Sequence, residues 1–309
     1  MAFSMHGRQV LITGANGFIG RHLSKALTAQ GAAVSILDLV PARDHPQKQH
    51  YVGDLRDAHF VDRALEQSSP EFIFHLAAFK ERTSAIEAFS DAISVNLMGS
   101  LNIFTAAKKL RNLRSLVVIG TAEEYGSISG PFQEEHREAP INAYSFSKLC
   151  VTHLSEVLHR IYNIPSIVIR PTLAYGPGQD VDMFLPALIK TVLQDQPFPM
   201  TPGRQTRDFI YVSDLVEALL HAATAPGAAG QVVNIGSGQS VPLGDLAQKI
   251  ERDLGKSGLV LIGAKEYRIG EVMEYGVDIG KAKELLHWTP KVGLEEGIRD
   301  TIRYYRDGR

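Results

Sequence analysis

The sequence predicts an α/β protein built on a doubly wound parallel sheet, and two observations carry that expectation. Short apolar runs recur, "QVLITG", "AVSILD", "EFIFHLAA", "RSLVVIG" and "PSIVIRP", rich in Val and Ile, most of them bounded by Gly, Pro or Asp. Between them lie stretches of helical period such as "GFIGRHLSKALTAQG" and "SVNLMGSLNIFTAAKKL". Uninterrupted apolar strands alternating with helices describe a parallel sheet covered on both faces. At 309 residues the chain is long enough for one large domain or two.

Taken in order, the first run opens the most informative segment, "VLITGANGFIGRHLSKAL". Strand, glycine turn and helix follow one another, with Gly14, Gly17 and Gly20 spaced G-x-x-G-x-x-G. Glycine lets the backbone turn tightly and approach a pyrophosphate, while the following helix aims its N-terminal amides at the anion. The second run ends on Asp38, 18 residues after Gly20. A carboxylate there accepts hydrogen bonds from ribose hydroxyls and repels a 2′-phosphate, so NAD is expected over NADP, with nearby Arg43 able to soften the preference. "HYVGD" reads as a third strand, with Asp54 and Leu55 bounding the adenine; His75 in "FIFHLAA" reads as a packed strand-end residue.

The regular alternation fades after about residue 172, where "YGPGQ", "PFPMTPGRQTRD" and "IGSGQSVPLG" cluster Gly and Pro. We therefore expect a Rossmann-type dinucleotide-binding domain over 1–171 and a smaller substrate-binding region over 172–309. Residues 208–235, with the strand-like "DFIYV" and "QVVNIG", are expected to rejoin the first domain.

Composition narrows the function. A formal net charge of -2 and pI near 6.6 leave no cationic excess for nucleic acid. The single cysteine, Cys150, excludes an intramolecular disulfide and sits in apolar surroundings as core filler. No His/Cys/Asp/Glu spacing suggests a metal site. No leader pattern or run of 18 apolar residues is seen, so the chain reads as cytoplasmic, with no membrane partner.

The chemistry is suggested by "NAYSFSK", which sets Tyr144 one helical turn before Lys148 on one face. Tyrosine, with an ordinary pKa of about 10, is a poor base at neutral pH; a neighbouring ammonium and an oxidised nicotinamide both favour its phenolate. Thr121, in "VVIGTAEEYG", falls just past a strand end, the edge where open parallel sheets bind ligands. A hydroxyl to hold the substrate oxygen, a phenol to exchange its proton and a lysine shared between phenol and cofactor ribose suffice for hydride transfer at a sugar carbon.

With "TGANGFIG", "GDL", "HLAA", "VNLMGSLN", "GTAEEYG", "YSFSK", "RPTLAYGPGQ", "RDFIYVSDL" and "LHWTPKVGLEEGI" read together, the chain resembles, nearly end to end, an extended short-chain dehydrogenase/reductase of the NAD-dependent epimerase/dehydratase family acting on nucleotide sugars. The resemblance implies dinucleotide contacts from Gly14, Asn16, Gly17, Phe18, Ile19, Gly20, Asp38, Asp54 and Leu55. Leu76, Ala77 and Ala78 back the cofactor; Lys80 reaches its phosphates, Asn96 supports the site, Lys148 binds its ribose, and Pro171 and Thr172 lie beside the nicotinamide. Arg207 and Arg268 would clamp the sugar-nucleotide diphosphate, with Arg204 farther out. Thr121, Tyr144 and Lys148 would be catalytic.

For the reaction, Thr121-Ala122-Glu123 lacks the acidic middle residue of the T-D-E dehydratases, though Glu123 could serve as a base. "EEYG" resembles reductases of 4-keto-6-deoxy sugars, whereas Lys80 and Asp38 look more like an epimerase that retains NAD. Leu173 replaces the asparagine many epimerases place before "VYGP". The expected activity is hydride transfer at C4 of a nucleoside-diphosphate hexose, as 4-ketoreductase slightly ahead of 4-epimerase. A 4,6-dehydratase follows, and a non-catalytic cofactor-binding sensor comes last. By analogy a homodimer is expected, joined through helices near 92–110 and 144–158; Leu149, Leu154, Val157 and Leu158 fit that face or internal packing.

Overall fold

The computed structural model describes residues 4–41, 49–81, 85–268 and 270–308. Arg43 lies outside the described residues.

Seven parallel strands form the main sheet: β1 (Gln9–Thr13), β2 (Ala33–Asp38), β3 (Gln49–Val52), β4 (Phe72–His75), β5 (Ser115–Ile119), β6 (Ser166–Pro171) and, late in the chain, β10 (Val232–Ile235). Their spatial order is β10-β6-β5-β4-β1-β2-β3. The chain runs outward from β1 to β2 and β3, then crosses back to β4. This opens a crevice at the carboxyl ends of β1 and β4, the switch point where doubly wound sheets bind ligands.

Alternate residues of each strand enter two separate cores, as the apolar runs require. Val10, Ile12, Phe72, Phe74, Val117 and Ile119 face one side. There they meet α1 (Phe18–Ala29) and α7 (Val212–Thr224), which also pack on each other. Leu11, Ile73, Leu116 and Val118 face the other side. They meet α2 (Ala58–Ser68), α4 (Gly99–Ala107) and α5 (Ala143–Tyr162). Between α3 (Ile86–Ala92) and α4 the helix widens into a π-helical segment, Ile93–Met98.

The second half of the chain adds β7 (Leu173–Tyr175), α6 (Phe184–Leu193), β8 (Phe198–Met200), β9 (Thr206–Tyr211), β11 (Ser240–Pro242), α8 (Leu243–Asp253), β12 (Val260–Ile262), β13 (Glu274–Tyr275), α9 (Gly280–Leu286) and α10 (Leu294–Arg306). β9 is flanked by β11, β13 and β7 in a small sheet, and β8 pairs with β12. A third core of Tyr175, Leu188, Phe209, Leu246, Ile250 and Ile298 holds this part together.

Residues 208–235 are shared between the two sheets. "QVVNIG" supplies β10, the edge strand beside β6, and α7 covers that sheet. "DFIYV" instead lies in β9 of the small sheet. Its ladder partners are Leu173–Tyr175, earlier in the chain, and Ser240, later, so no local pattern could have assigned it.

Candidate active site

The glycine turn lies at the mouth of the crevice. Gly14 has φ +71°, a conformation that disfavours a side chain, and a Cβ built on it would sit 2.7 Å from the Ala77 backbone. A Cβ on Gly20 would sit 2.4 Å from the Gly14 carbonyl oxygen. Both glycines thus let β1, β4 and α1 close together. Gly17 caps α1 with no side-chain hydrogen bond, leaving the first-turn amides to an anion. Asp38 is oriented toward the same space: Asn16 N donates to Oδ2 at 3.0 Å and Leu39 N to Oδ1 at 2.8 Å.

One cavity of about 460 Å³ runs from this turn across the carboxyl ends of the strands. Gly14, Gly17, Phe18, Ile19, Gly20 and Asp38 line its near end, with Asp54 and Leu55 beside them. Leu76, Ala77 and Ala78 form its floor; Pro171 and Thr172 border the far end together with Thr121, Glu123, Tyr144 and Lys148. Residues separated by more than a hundred positions therefore share one space.

Lys148 owes its place to the i, i+4 spacing and to β5. Asn142 caps α5, its side chain accepting from Ser145 N at 2.8 Å, which points the first turn of the helix at the strand end. Lys148 is 3% exposed, and its Nζ donates to the Ile119 carbonyl at 2.8 Å. Burial pulls its pKa down to about 8, against the pull of the Glu124 carboxylate. Tyr144, one turn earlier, is also buried. Thr121, two residues past the end of β5, caps the 3₁₀ turn Ala122–Tyr125, its Oγ1 accepting from Glu123 N at 3.2 Å.

Other expected residues stand back from the cavity. His75 is fully buried, bridging Thr13 Oγ1 at 2.7 Å and Ser100 Oγ at 2.8 Å; burial and then Lys148 push its pKa down to about 3. It packs the strand end, as the sequence suggested. Asn96, which the resemblance makes a support of the site and a cofactor-binding residue, is not among the residues lining the cavity. Its side chain accepts from Phe79 N at 2.7 Å and donates to Phe79 O at 3.0 Å and Ser147 Oγ at 2.8 Å, tying the loop after β4 to α5. The Asn16 side chain turns outward, donating to Val40 O at 3.0 Å.

Arg207 and Arg268, which the resemblance assigns to the sugar-nucleotide diphosphate, are not among the residues lining this cavity. Arg207 is held by Glu271 and by the carbonyls of Thr206 and Val272 at 2.8 and 2.7 Å. Arg268 and Arg204 are exposed. Lys80 lines the cavity mouth but pairs with Asp180 at 2.9 Å, across 100 residues of sequence.

The cavity also recruits residues the sequence did not single out. Tyr275 arrives from β13, Val95 from the π-helical segment, Gln179 from the end of "YGPGQ", and Asp182 and Met183 from the loop after it. Arg56 lies beside Asp54, which its side chain and amide hold below the ordinary carboxylate range. The "YGPGQ" cluster was a loop signal, but Tyr275 and Val95 had none, because β13 is two residues long and the π register follows no apolar period. Among the described residues no cluster of His, Cys, Asp and Glu is arranged to hold a metal, and no helix is long and apolar enough to cross a membrane.

Residues 10–236 match the family model described as the NAD dependent epimerase/dehydratase family. The chain belongs to that family. The epimerase/dehydratase match extends over the whole molecule in individual relatives. The chain is 29% identical over 338 aligned positions to dTDP-glucose 4,6-dehydratase of Neisseria gonorrhoeae, covering 98% of this chain and 96% of that one. It is similar in structure to UDP-glucose 4-epimerase of Thermotoga maritima solved with UDP-glucose, at TM-score 0.90 and 28% identity, covering 97% and 99% of the two chains. The Bacillus cereus UDP-glucuronic acid 4-epimerase, solved with UDP-glucuronic acid and NAD, aligns at TM-score 0.88 and 30% identity, covering 97% and 99%. As a family member the chain is an NAD-dependent enzyme. Its glycine cradle, which any Cβ would fill, and its oriented Asp38 carboxylate fit that cofactor.

Proposed function

We propose that this enzyme is a nucleotide-sugar 4-epimerase acting on a nucleoside-diphosphate hexose. The observation that carries the reading is the gathering of Thr121, Tyr144 and Lys148 on one wall of a cavity whose other end is the dinucleotide cradle. Gly14, Gly17, Gly20 and Asp38 would hold NAD, which would accept a hydride from C4 and give it back. Tyr144 withdraws the proton of the C4 hydroxyl while Thr121 holds the oxygen, and Lys148 keeps the phenol acidic and binds the cofactor ribose. The sugar, as a 4-ketone, turns over within the cavity so that its opposite C4 face takes the hydride back, while Tyr144 returns the proton to the C4 oxygen.

The choice among reactions is supported by Ala122. Where a T-D-E dehydratase needs an acid, this side chain is 0% exposed and packed in the apolar core, leaving Glu123 as the single carboxylate of that turn on the cavity. Removing water across C5 and C6 requires both an acid and a base. The whole-length likeness to 4-epimerases supports reading the enzyme as an epimerase, whereas the "EEYG" motif favours a ketoreductase.

Incubating the purified enzyme with UDP-glucose or UDP-glucuronic acid, without added cofactor, and analysing the sugars by proton NMR tests the reading. The C4 epimer should appear with no net change in the absorbance of reduced nicotinamide. Tyr144→Phe should slow this by at least about a hundredfold, the scale of one acid/base group. Consumption of added NADH with a 4-keto sugar, and no interconversion of C4 epimers, would establish the ketoreductase instead.

A further inference from the structure

Beneath the cavity wall lies a charge for which the mechanism has given no reason. Glu124, second acid of "EEYG", is 0% exposed. Its Oε1 accepts from Thr121 N at 2.9 Å. Its Oε2 accepts from Thr152 Oγ1 and from Arg170 Nε, each at 2.8 Å. Thr152 stands one turn beyond Lys148 on α5, and Arg170 immediately precedes Pro171 and Thr172 in β6. A Cβ on Gly120 would lie 2.7 Å from Oε1, so glycine at that strand end admits the carboxylate.

We infer that Glu124 is a positioning residue for the reaction: its carboxylate clamps the ends of β5, α5 and β6 together, setting Thr121, Lys148 and Thr172 in one frame. The inference rests on the roles proposed for Thr121, Tyr144 and Lys148. Each of its three bonds ends on a site residue, on the residue two before one, or one helical turn beyond one. A carboxylate is suited to this because it can accept from three donors in three directions, which no neutral side chain of its size can do. Glutamine at this place would turn an NH₂ toward either the Thr121 amide or the Arg170 guanidinium, donor against donor.

The frame is closed behind Glu124. Arg170 is 1% exposed, its Nη2 donating to Glu138 Oε1 at 2.8 Å, and the Tyr125 ring lies 4.8 Å from the guanidinium. Tyr125 is fixed in turn by its hydroxyl, which donates to Asn234 Oδ1 at 2.9 Å. A buried ion pair is weak evidence for stability, since apolar replacements of both partners are often neutral or stabilising. Its placement against the reacting groups is what gives it a function.

A second consequence is electrostatic. The groups facing Glu124 are Arg170 from β6, Lys148, Cys150 and Thr152 from α5, and Glu138 through Arg170. Those facing Lys148 are Glu124, His75 of β4 and Tyr144 on its own helix. Burial raises Glu124, while Arg170, Thr152 and the Thr121 amide pull it back. As an anion it helps Lys148 keep the proton that burial would strip.

The test compares Glu124→Gln with the apolar double variant Glu124→Leu/Arg170→Met. With UDP-glucose as substrate, Glu124→Gln should lower kcat by about 10- to 100-fold, the scale of lost alignment, with KM changed less than about threefold. The alkaline limb of its kcat/KM profile should move to lower pH. Independently of substrate, the rise of thermal stability with pH that depends on Lys148, taken against Lys148→Met in each background, should begin at lower pH in Glu124→Gln. The double variant should melt near wild type yet stay slow. Recovery of kcat along with thermal stability in the double variant, or an unmoved pH dependence in Glu124→Gln, would overturn the inference. Should Glu124→Gln fail to fold, the double variant decides. If Tyr144→Phe keeps wild-type turnover, the reading of the site itself fails; if Tyr144→Phe is slow and both Glu124 variants are fast, the inference alone fails.

Discussion

Replacing Lys148 by methionine should stabilise the protein at neutral pH while abolishing its activity. The side chain is 3% exposed, and burial draws its ammonium from 10.5 to about 8. At about 1.4 kcal/mol per pKa unit, holding that charge costs the folded state about 3 kcal/mol. Below pH 8 the lysine is charged in folded and unfolded chain alike, so the whole cost is present. Between 8 and 10.5 the folded form alone sheds its proton, the unfolded chain binds more protons, and stability rises with pH. Methionine has a stem of similar length and no charge. Against the gain stands the lost hydrogen bond to Ile119 O, about 1 kcal/mol. Glu124 keeps Arg170 as partner. The net gain is about 2 kcal/mol at pH 7, a rise in Tm on the order of 4 °C. Thermal unfolding of both proteins at pH 7 and pH 10 measures it, with the advantage of methionine shrinking toward pH 10. A variant that melts at or below wild type at pH 7, or whose advantage grows with pH, would refute the reasoning.

Two further outcomes follow from the cradle. Asp38→Ala removes a carboxylate oriented by Asn16 N and Leu39 N, and should weaken NAD binding by about 10- to 100-fold, the worth of charged hydrogen bonds, while improving the NADP-to-NAD affinity ratio; titration calorimetry with both cofactors checks it. Gly14→Ala forces a side chain at φ +71° into the Ala77 backbone 2.7 Å away, and should lower stability by at least about 2 kcal/mol and abolish NAD binding, as thermal unfolding with and without NAD would read.

The cradle was legible because its signals are local. Gly14, Gly17 and Gly20 lie within one turn and the helix it opens, Asp38 ends the next strand, and strand burial on both faces shows as uninterrupted apolar runs. The Tyr144/Lys148 pair was legible for the same reason, since helix geometry alone places i and i+4 on one face. Thr121 needed only the end of β5. Arg207 shows the opposite case: its guanidinium pairs with Glu271, 64 positions away. Nothing near Arg207 in sequence announces that partner. Lys80 and Asp180, and Glu124 and Arg170, are pairs of the same kind.

From the sequence alone came the parallel sheet, the glycine turn, the acidic strand end and the phenol–ammonium spacing, because each depends on bond geometry and periodicity over a few residues. Tertiary structure decided which charges remain available to a ligand and which are committed to another side chain, and that one buried carboxylate joins three ends of the catalytic wall. Coulomb attraction and desolvation depend on distance through space and on exclusion of water. Both are settled only when segments far apart along the chain are packed together.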